Sequence, residues 1–408
     1  MRLSVSAFAL GCLLQSSACW WTPLRGPNFG PLGAFFEKEG LPEVPHRTDR
    51  PVFRVILIGD GGAPLPDKDP TLELLGKWGD ELPDRTAVVF LGDNVYPAGV
   101  QPSNPKAKGV LLEQLQATRA AKLFVPGNHD WGYSGRQWLV PGVLANEEEF
   151  IEAHSSMRAD FLPKNGCPGP SEVELMPPSH PLTGGLTVVA LDLHWWLLDK
   201  KERPSCEGIA DTAAFLKRFG EVLEKHRDGN VLVVAHHPIR SGGPHGGQSR
   251  GFWLDLGVTI AHPFYKAPDL FEPSYQTMVR LLEKEMAADP PLAMIGGHDH
   301  SLQLIDGGRF TRLVIVSGAA SRLSTVTSVD GTLFAHAHLG FIVMDFYRLG
   351  TEETCLVHVV ETGRADEPVF TVALDLKKKA APPAPIAAPV RTSRAPQAAG
   401  SVAGSQTD

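Results

Sequence analysis

The stretch Gly92-Asp93-Asn94-Val95-Tyr96 places a carboxylate three residues before a phenol, directly after the apolar run Thr86–Leu91. A strand that ends in this way can offer one metal centre two oxygen ligands of different hardness. The same punctuation recurs along the chain. Asp60 follows Val52–Ile58, Asn128-His129-Asp130 follows Lys122–Val125, His236-His237 follows Asn230–Ala235, and His298-Asp299-His300 follows Leu292–Ile295. Carboxylate, amide and imidazole are together a donor set for hard and borderline metal ions.

Taken singly, each feature has an ordinary explanation. An Asp after a strand usually caps a helix or forms a turn, Gly127-Asn128-His129-Asp130 contains turn-forming residues, and His298-x-His300 is a weak metal signal. The elements that must carry these residues decide the matter. From about Pro51, short β-branched apolar runs alternate with helical patterns at Leu72–Trp78, Val110–Ala121, Ala213–His226 and Tyr275–Ala288. Further strand-like runs occur at Leu186–Leu191 and Leu313–Val316. Near-continuous apolar strands imply sheets covered on both faces, and Leu333–Leu376 adds strands without intervening helices, so the predicted class is α/β with an antiparallel end. In open α/β sheets, ligands bind beyond the carboxyl ends of the strands. Five strands that deliver Asp, Asn and His to that one rim define a metal site.

The set Gly59-Asp60, Gly92-Asp93-Asn94, Gly127-Asn128-His129-Asp130, His236 and Gly297-His298-Asp299-His300 resembles the calcineurin-like metallophosphoesterase superfamily in order and spacing, over roughly Val52 to Phe346. Most of that superfamily carries Asp-x-His in its first motif, whereas Gly62 stands here at the third position. Purple acid phosphatases, including the tartrate-resistant type, lack the same histidine and use a tyrosine just after the second motif. Tyr96, Val234-Ala235-His236-His237-Pro238 and Gly297-His298-Asp299-His300-Ser301-Leu302-Gln303 resemble that subgroup in particular.

The resemblance implies a four-layer α/β/β/α sandwich and a two-metal centre. Asp60, Asp93, Tyr96 and His300 would hold the first ion, and Asp93, Asn128, His236 and His298 the second, with Asp93 bridging. Carboxylate and phenolate oxygens suit Fe3+; imidazole and amide suit Fe2+, Zn2+ or Mn2+. A strongly charged ion also keeps a phenol deprotonated despite its usual pKa of about 10. The implied reaction is attack by a metal-bound hydroxide on a phosphate ester, with His129 helping to protonate the leaving group. His245 matches a second substrate-facing histidine in its spacing from His236, although a solvent-exposed histidine in the loop Ser241–Gly247 would be equally unremarkable.

The remaining histidines read differently. His194, in Asp192-Leu193-His194-Trp195-Trp196 after a strand end, is a candidate substrate contact, while the paired tryptophans read as core or lid packing. His237 reads as a support behind the ligands; His154, His226, His262, His336 and His338 read as surface or strand residues. Gly59-Asp60-Gly61-Gly62 lacks the Gly-x-Gly-x-x-Gly order, and Pro64 and Pro66 interrupt the helix start that a dinucleotide loop requires.

The 408-residue chain, 43% hydrophobic, has ample material for a core, and a formal net charge of -8 argues against nucleic acid as partner. The expected partner is a small phosphorylated substrate, and no protein partner is expected. Residues 1–18 read as an export signal: Arg2, an apolar stretch Leu3–Leu14 too short to span a bilayer, and small residues Ser16-Ser17-Ala18 before the cut. Cys19 then allows either membrane attachment as an envelope lipoprotein or free export to the periplasm or beyond. Residues 19–50 read as a linker, 51–376 as the metallophosphoesterase domain and 377–408, rich in Ala and Pro, as a disordered tail. Cys167 and Cys206 either close the loop-rich region between them or remain thiols, with Cys355 buried in a strand. The functional reading is an acid-phosphatase-like monoesterase. The alternatives are a phosphodiesterase or pyrophosphatase acting on nucleotides or lipid head groups, decided by loops 132–144 and 163–181, or a non-catalytic envelope-anchored binding module.

Overall fold

The computed structural model describes residues 36–44, 49–65, 68–132, 142–178, 181–246, 272–364 and 367–377. The export segment, Cys19, His262 and the tail beyond residue 377 lie outside the described residues, as does most of the first specificity loop. In chain order the strands are β1 (Phe36–Glu37), β2 (Phe53–Ile58), β3 (Thr86–Phe90), β4 (Ala121–Phe124), β5 (Ala159–Phe161), β6 (Ser171–Met176), β7 (Leu186–Ala190), β8 (Asn230–Val234), β9 (Ala293–Gly296), β10 (Leu302–Asp306), β11 (Leu313–Ser317), β12 (Thr332–His336), β13 (Gly340–Leu349), β14 (Glu352–Glu361) and β15 (Phe370–Asp375). The helices are α1 (Pro70–Asp80), α2 (Ala107–Gln116), α3 (Val143–Ala153), α4 (His194–Leu197), α5 (Thr212–Lys225) and α6 (Pro273–Met286). None of the described helices is long and apolar enough to cross a membrane.

Two sheets form. One runs β15-β14-β13-β2-β3-β4-β5, the other β1-β12-β10-β11-β9-β8-β7-β6. Strands β2 to β5 are mutually parallel, as are β7, β8, β9 and β11; antiparallel strands flank each parallel core. Alternation along β2 explains the layering. Val55 and Leu57 face the space between the sheets, among Val89, Leu123, Val188, Leu232 and Ile315. Ile56 and Ile58 face the other way, onto Leu74 and Leu75 of α1 and Leu111 and Leu115 of α2. The second sheet repeats this logic outward, with Val231, Val233 and Met294 against Phe215 and Phe219 of α5 and Met278 and Leu282 of α6. Every central strand is therefore apolar on both faces, and the architecture is an α/β/β/α sandwich.

Several boundaries differ from the sequence reading. The segment 19–50 is not wholly linker, since β1 pairs antiparallel with β12 through Phe36 and Ala335. The helix expected to run through Ala121 ends at Gln116, because Ala120 and Ala121 are claimed by the turn and by pairing of β4 with β3. Helix α1 starts two residues earlier than its periodicity suggests: Asp69 caps it by accepting from the N–H groups of Thr71 and Leu72, with Pro70 at the first turn. Cys167 and Cys206 are disulfide-bonded, with Cα atoms 5.7 Å apart, and Cys355 is a buried free thiol.

Candidate metal centre

The two sheets meet at the carboxyl ends of their parallel strands, and the backbone there is stitched across the gap. Gly59 N–H donates to Ser317 O at 2.8 Å, and the Ser317 hydroxyl donates to Leu57 O at 2.7 Å. Just past the strands, Asp60, Asp93 and His298 have φ of 62°, 53° and 69°. Left-handed backbone at non-glycine residues costs free energy and persists only where the surroundings enforce it; here it turns three side chains into one small volume.

Two donor groups result. Tyr96 Oη lies 3.0 Å from Asp60 Oδ1, 3.0 Å from Asp93 Oδ2 and 3.2 Å from His300 Nε2. Beside it, His236 Nε2 lies 3.1 Å from Asn128 Oδ1, 3.1 Å from His298 Nδ1 and 3.4 Å from Asp93 Oδ1. Asp93 thus turns one oxygen to each group. The imidazoles are aimed from behind: His236 Nδ1–H donates to Leu91 O at 2.8 Å, which leaves Nε2 to face the cluster. The backbone N–H of His298 donates to Asp60 Oδ2 at 2.8 Å.

The charge state of this cluster calls for a cation. Burial pushes the Asp60 carboxyl up to about 7, with the His236 charge opposing and Asp93 adding to the rise. Burial, then Asp60 and Asp93, raise Tyr96 well above the ordinary phenol value. Burial also acts upward on Asp93, but the His236 and His129 charges and hydrogen bonds from the His129 N–H and Tyr96 outweigh it and hold Asp93 low. Burial, assisted by His245 and Arg322, lowers His300 to about 3, so its imidazole is neutral with a lone pair available. One phenolic proton cannot satisfy two carboxylates and an imidazole at once, whereas metal ions would use all these lone pairs. The buried Asp60, Asp93 and His236 in particular have ligand atoms within 4.8 Å of one another. The donor types fit a pair of ions sharing Asp93, one set richer in oxygen and the other in nitrogen.

His129 stands at the mouth. Its Nδ1–H donates to Pro97 O at 2.5 Å, its backbone N–H donates to Asp93 Oδ1 at 2.9 Å, and its Nε2 sits 3.8 Å from Asp93 Oδ2. Burial lowers its pKa, the Asp93 charge opposing. The His245 ring packs 4.1 Å from that of His298, and its backbone N–H donates to Asp299 Oδ1 at 3.0 Å, so loop 241–246 is tied to the segment that carries His298 and His300.

His194 does not lie on the open face. It is fully buried, its ring 5.9 Å from Trp131 and 5.8 Å from His237, because α4 folds inward with Trp195 and Trp196. The expected substrate contact is therefore a packing residue, and the two tryptophans are core. His237 lies behind the site, its ring 5.1 Å from that of His236 and 4.7 Å from that of His298; fully buried, with neither ring nitrogen hydrogen-bonded among the described residues, it is kept neutral by burial. His154, His226, His336 and His338 pair with Phe150 O, Glu172, Glu361 and Leu339 O.

One supporting network escaped the sequence reading. The Asn94 amide donates to Val125 O, Asp130 Oδ2 and Glu147 Oε1 at 2.9, 3.3 and 3.0 Å, and Asp130 also accepts from the N–H groups of Gly127 and Val95. Burial raises both acids, Glu147 to about 7, and the charges of Glu147 and Asp93 add to the rise at Asp130. Glu147 lies on the apolar face of α3 between Leu144 and Ile151, and that position is the signal that could have singled it out.

The fold is that of the calcineurin-like metallophosphoesterases. Among solved structures, it is similar to GAP50, the anchor in the inner membrane complex of Plasmodium, with TM-score 0.50 and 16% identity over 80% of this chain and 90% of that one. It is similar also to the purple acid phosphatase PPD1 from yellow lupin (Lupinus luteus) seeds, with TM-score 0.50 and 14% identity over 81% of this chain; the match spans 55% of the lupin protein. No protein-family model and no curated protein matches the sequence.

Proposed function

We propose that the protein is a dinuclear-metal hydrolase of phosphate monoesters, of the purple acid phosphatase kind, working outside the cytoplasm on a small phosphorylated substrate. The carrying observation is the pair of donor groups around Tyr96 and His236, with the two oxygens of Asp93 divided between them. Fe3+ suits the Tyr96 group, and Fe2+, Zn2+ or Mn2+ suits the His236 group. Ions bound there would supply a clamp on the phosphoryl oxygens and an acidified water as nucleophile. Asp60, Asp93, Tyr96, Asn128, His236, His298 and His300 hold the centre. His129, its ring fixed by Pro97 O, presents Nε2 to the mouth, where an arriving phosphate would favour its protonated form and let it give that proton to the leaving oxygen. His245 takes a substrate-facing place beside His298.

A second reading, a metal-retaining anchor without turnover attached through Cys19, draws support from the likeness to GAP50. One comparison separates the two: metal content, visible absorption, and rates on aryl phosphate monoesters and diesters for the purified protein. Monoester hydrolysis with two metals bound supports the phosphatase; full metal occupancy without hydrolysis of either ester overturns it in favour of the anchor.

A further inference from the structure

Strand β11 ends at the same rim as the ligand-bearing strands, and the turn after it, Ser317-Gly318-Ala319-Ala320-Ser321-Arg322, delivers a cation rather than a ligand. The guanidinium carbon of Arg322 stands 3.6 Å from the centroid of the Tyr96 ring, stacked on the face of the residue whose hydroxyl lies among Asp60, Asp93 and His300. Its charge reaches Tyr96, His129 and His300 alike. The placement is held on both sides. Ala320 N–H donates to Gly59 O at 3.2 Å, and the Ser321 hydroxyl donates to the carbonyl of Asp60 and accepts from Ala63 N–H. Two residues further on, Ser324 N–H donates to His300 O at 2.9 Å. Arg322 is thus braced between the segments that carry Asp60 and His300, with its planar group oriented by an aromatic face.

We propose that Arg322 is the anion receptor of this site, taking a terminal phosphate oxygen and thereby selecting dianionic phosphate monoesters over diesters. The proposal rests on the phosphatase reading above for its substrate class. A guanidinium offers donors in a fixed fork that matches phosphate oxygens. With the ester oxygen directed to His129 and two oxygens engaged at the centre, a monoester has a third charged oxygen left for Arg322. A diester carries its second substituent in that direction.

The test uses the full-length, metal-loaded protein as wild type, Arg322→Gln and Arg322→Lys, with metal content measured on each sample. Calorimetric titration with inorganic phosphate should show Arg322→Gln binding about tenfold or more weakly, the scale of one charge-assisted hydrogen bond, and Arg322→Lys recovering part of the loss. Metal stoichiometry should stay unchanged. On aryl phosphates, kcat/KM for the monoester should fall by a similar or larger factor in Arg322→Gln, with the diester rate little affected. Unchanged phosphate affinity in Arg322→Gln, or equal losses on both esters, overturns the proposal. Loss of metal from both variants also overturns it and makes Arg322 a brace for Tyr96. If the wild type hydrolyses neither ester, the phosphatase reading falls with it, and the calorimetric comparison alone still decides whether Arg322 receives the anion.

Discussion

Gly62 and Tyr96 are joined by their backbones: Tyr96 N–H donates to Gly62 O at 3.0 Å, and Gly62 N–H returns a bond to Asp93 O at 3.0 Å. A Cβ at position 62 would fall 2.6 Å from Asp93 O and 2.7 Å from the amide nitrogens of Val95 and Tyr96. The absence of a side chain at 62 and the presence of the phenol at 96 are therefore one structural fact, since the segment that brings Tyr96 inward occupies the space a histidine at 62 would need. Gly62→His should not exchange one ligand for another. It should expel the Tyr96 segment, lower the melting temperature and reduce metal content; a variant that keeps both at wild-type level would contradict this coupling.

The rim was legible because each candidate ligand follows a run of apolar β-branched residues by a few positions, and a parallel strand has one carboxyl end. Two kinds of feature escaped that logic. Glu147 sits in the acidic run Glu147-Glu148-Glu149, whose charge masks its place on the apolar face of α3 between Leu144 and Ile151. Arg322 follows β11 at the same rim, but a guanidinium offers a metal no lone pair, so donor chemistry does not single it out. His194 erred in the other direction: a strand end placed it correctly along the chain, yet the inward fold of α4 buried it, and burial is decided by tertiary packing rather than by position after a strand.

Tyr96→Phe should keep the fold and lose the colour. The ring of Tyr96 is buried against His129 and Arg322, contacts that Phe preserves, while the hydroxyl between Asp60 and Asp93 is removed. With iron bound, visible absorption should disappear while thermal unfolding shifts little. Retained colour would remove Tyr96 from the iron's ligands.

His129→Ala should lower turnover on an aryl phosphate monoester by about 10²–10⁴, the range for a lost general acid, with metal content close to wild type. The geometry supports this split, because the His129 ring is held by Pro97 O while its link to Asp93 Oδ1 runs through the backbone N–H, which alanine retains. An emptied metal centre in this variant would make His129 a ligand or its support.

Arg54 and Asp345 form a two-pronged ion pair joining β2 to β13, with Nε to Oδ1 at 2.7 Å and Nη2 to Oδ2 at 2.8 Å, both side chains buried. Arg54 also donates to Trp78 O and pairs with Glu81. Asp345→Ala would leave the Arg54 guanidinium inside the fold with only Trp78 O and the exposed Glu81 carboxylate as partners, so it should destabilise by about 3–5 kcal/mol in denaturant unfolding. The double replacement Arg54→Met with Asp345→Leu should cost less than the single change. A single variant within about 1 kcal/mol of wild type would mean that water reaches the stranded guanidinium.

Asp192 provides a pH test at a residue outside the candidate ligand set. It is fully buried, accepts from Trp131 Nε1–H at 2.7 Å and from His194 N–H at 3.0 Å, and burial lifts its pKa to about 7 against those hydrogen bonds. A carboxyl raised on folding binds more protons in the folded than in the unfolded state between about pH 4 and 7, so its contribution to stability is greatest at the acid end and declines as pH rises through that window. Other buried acids titrate in the same range, among them Glu147, and only a difference isolates Asp192. Asp192→Asn cannot titrate. The stability of wild type minus that of Asp192→Asn should therefore fall steadily from pH 4 to pH 7 and then level off. Parallel stability curves for the two proteins across this window would show that the Trp131 and His194 donors keep Asp192 ionised despite its burial.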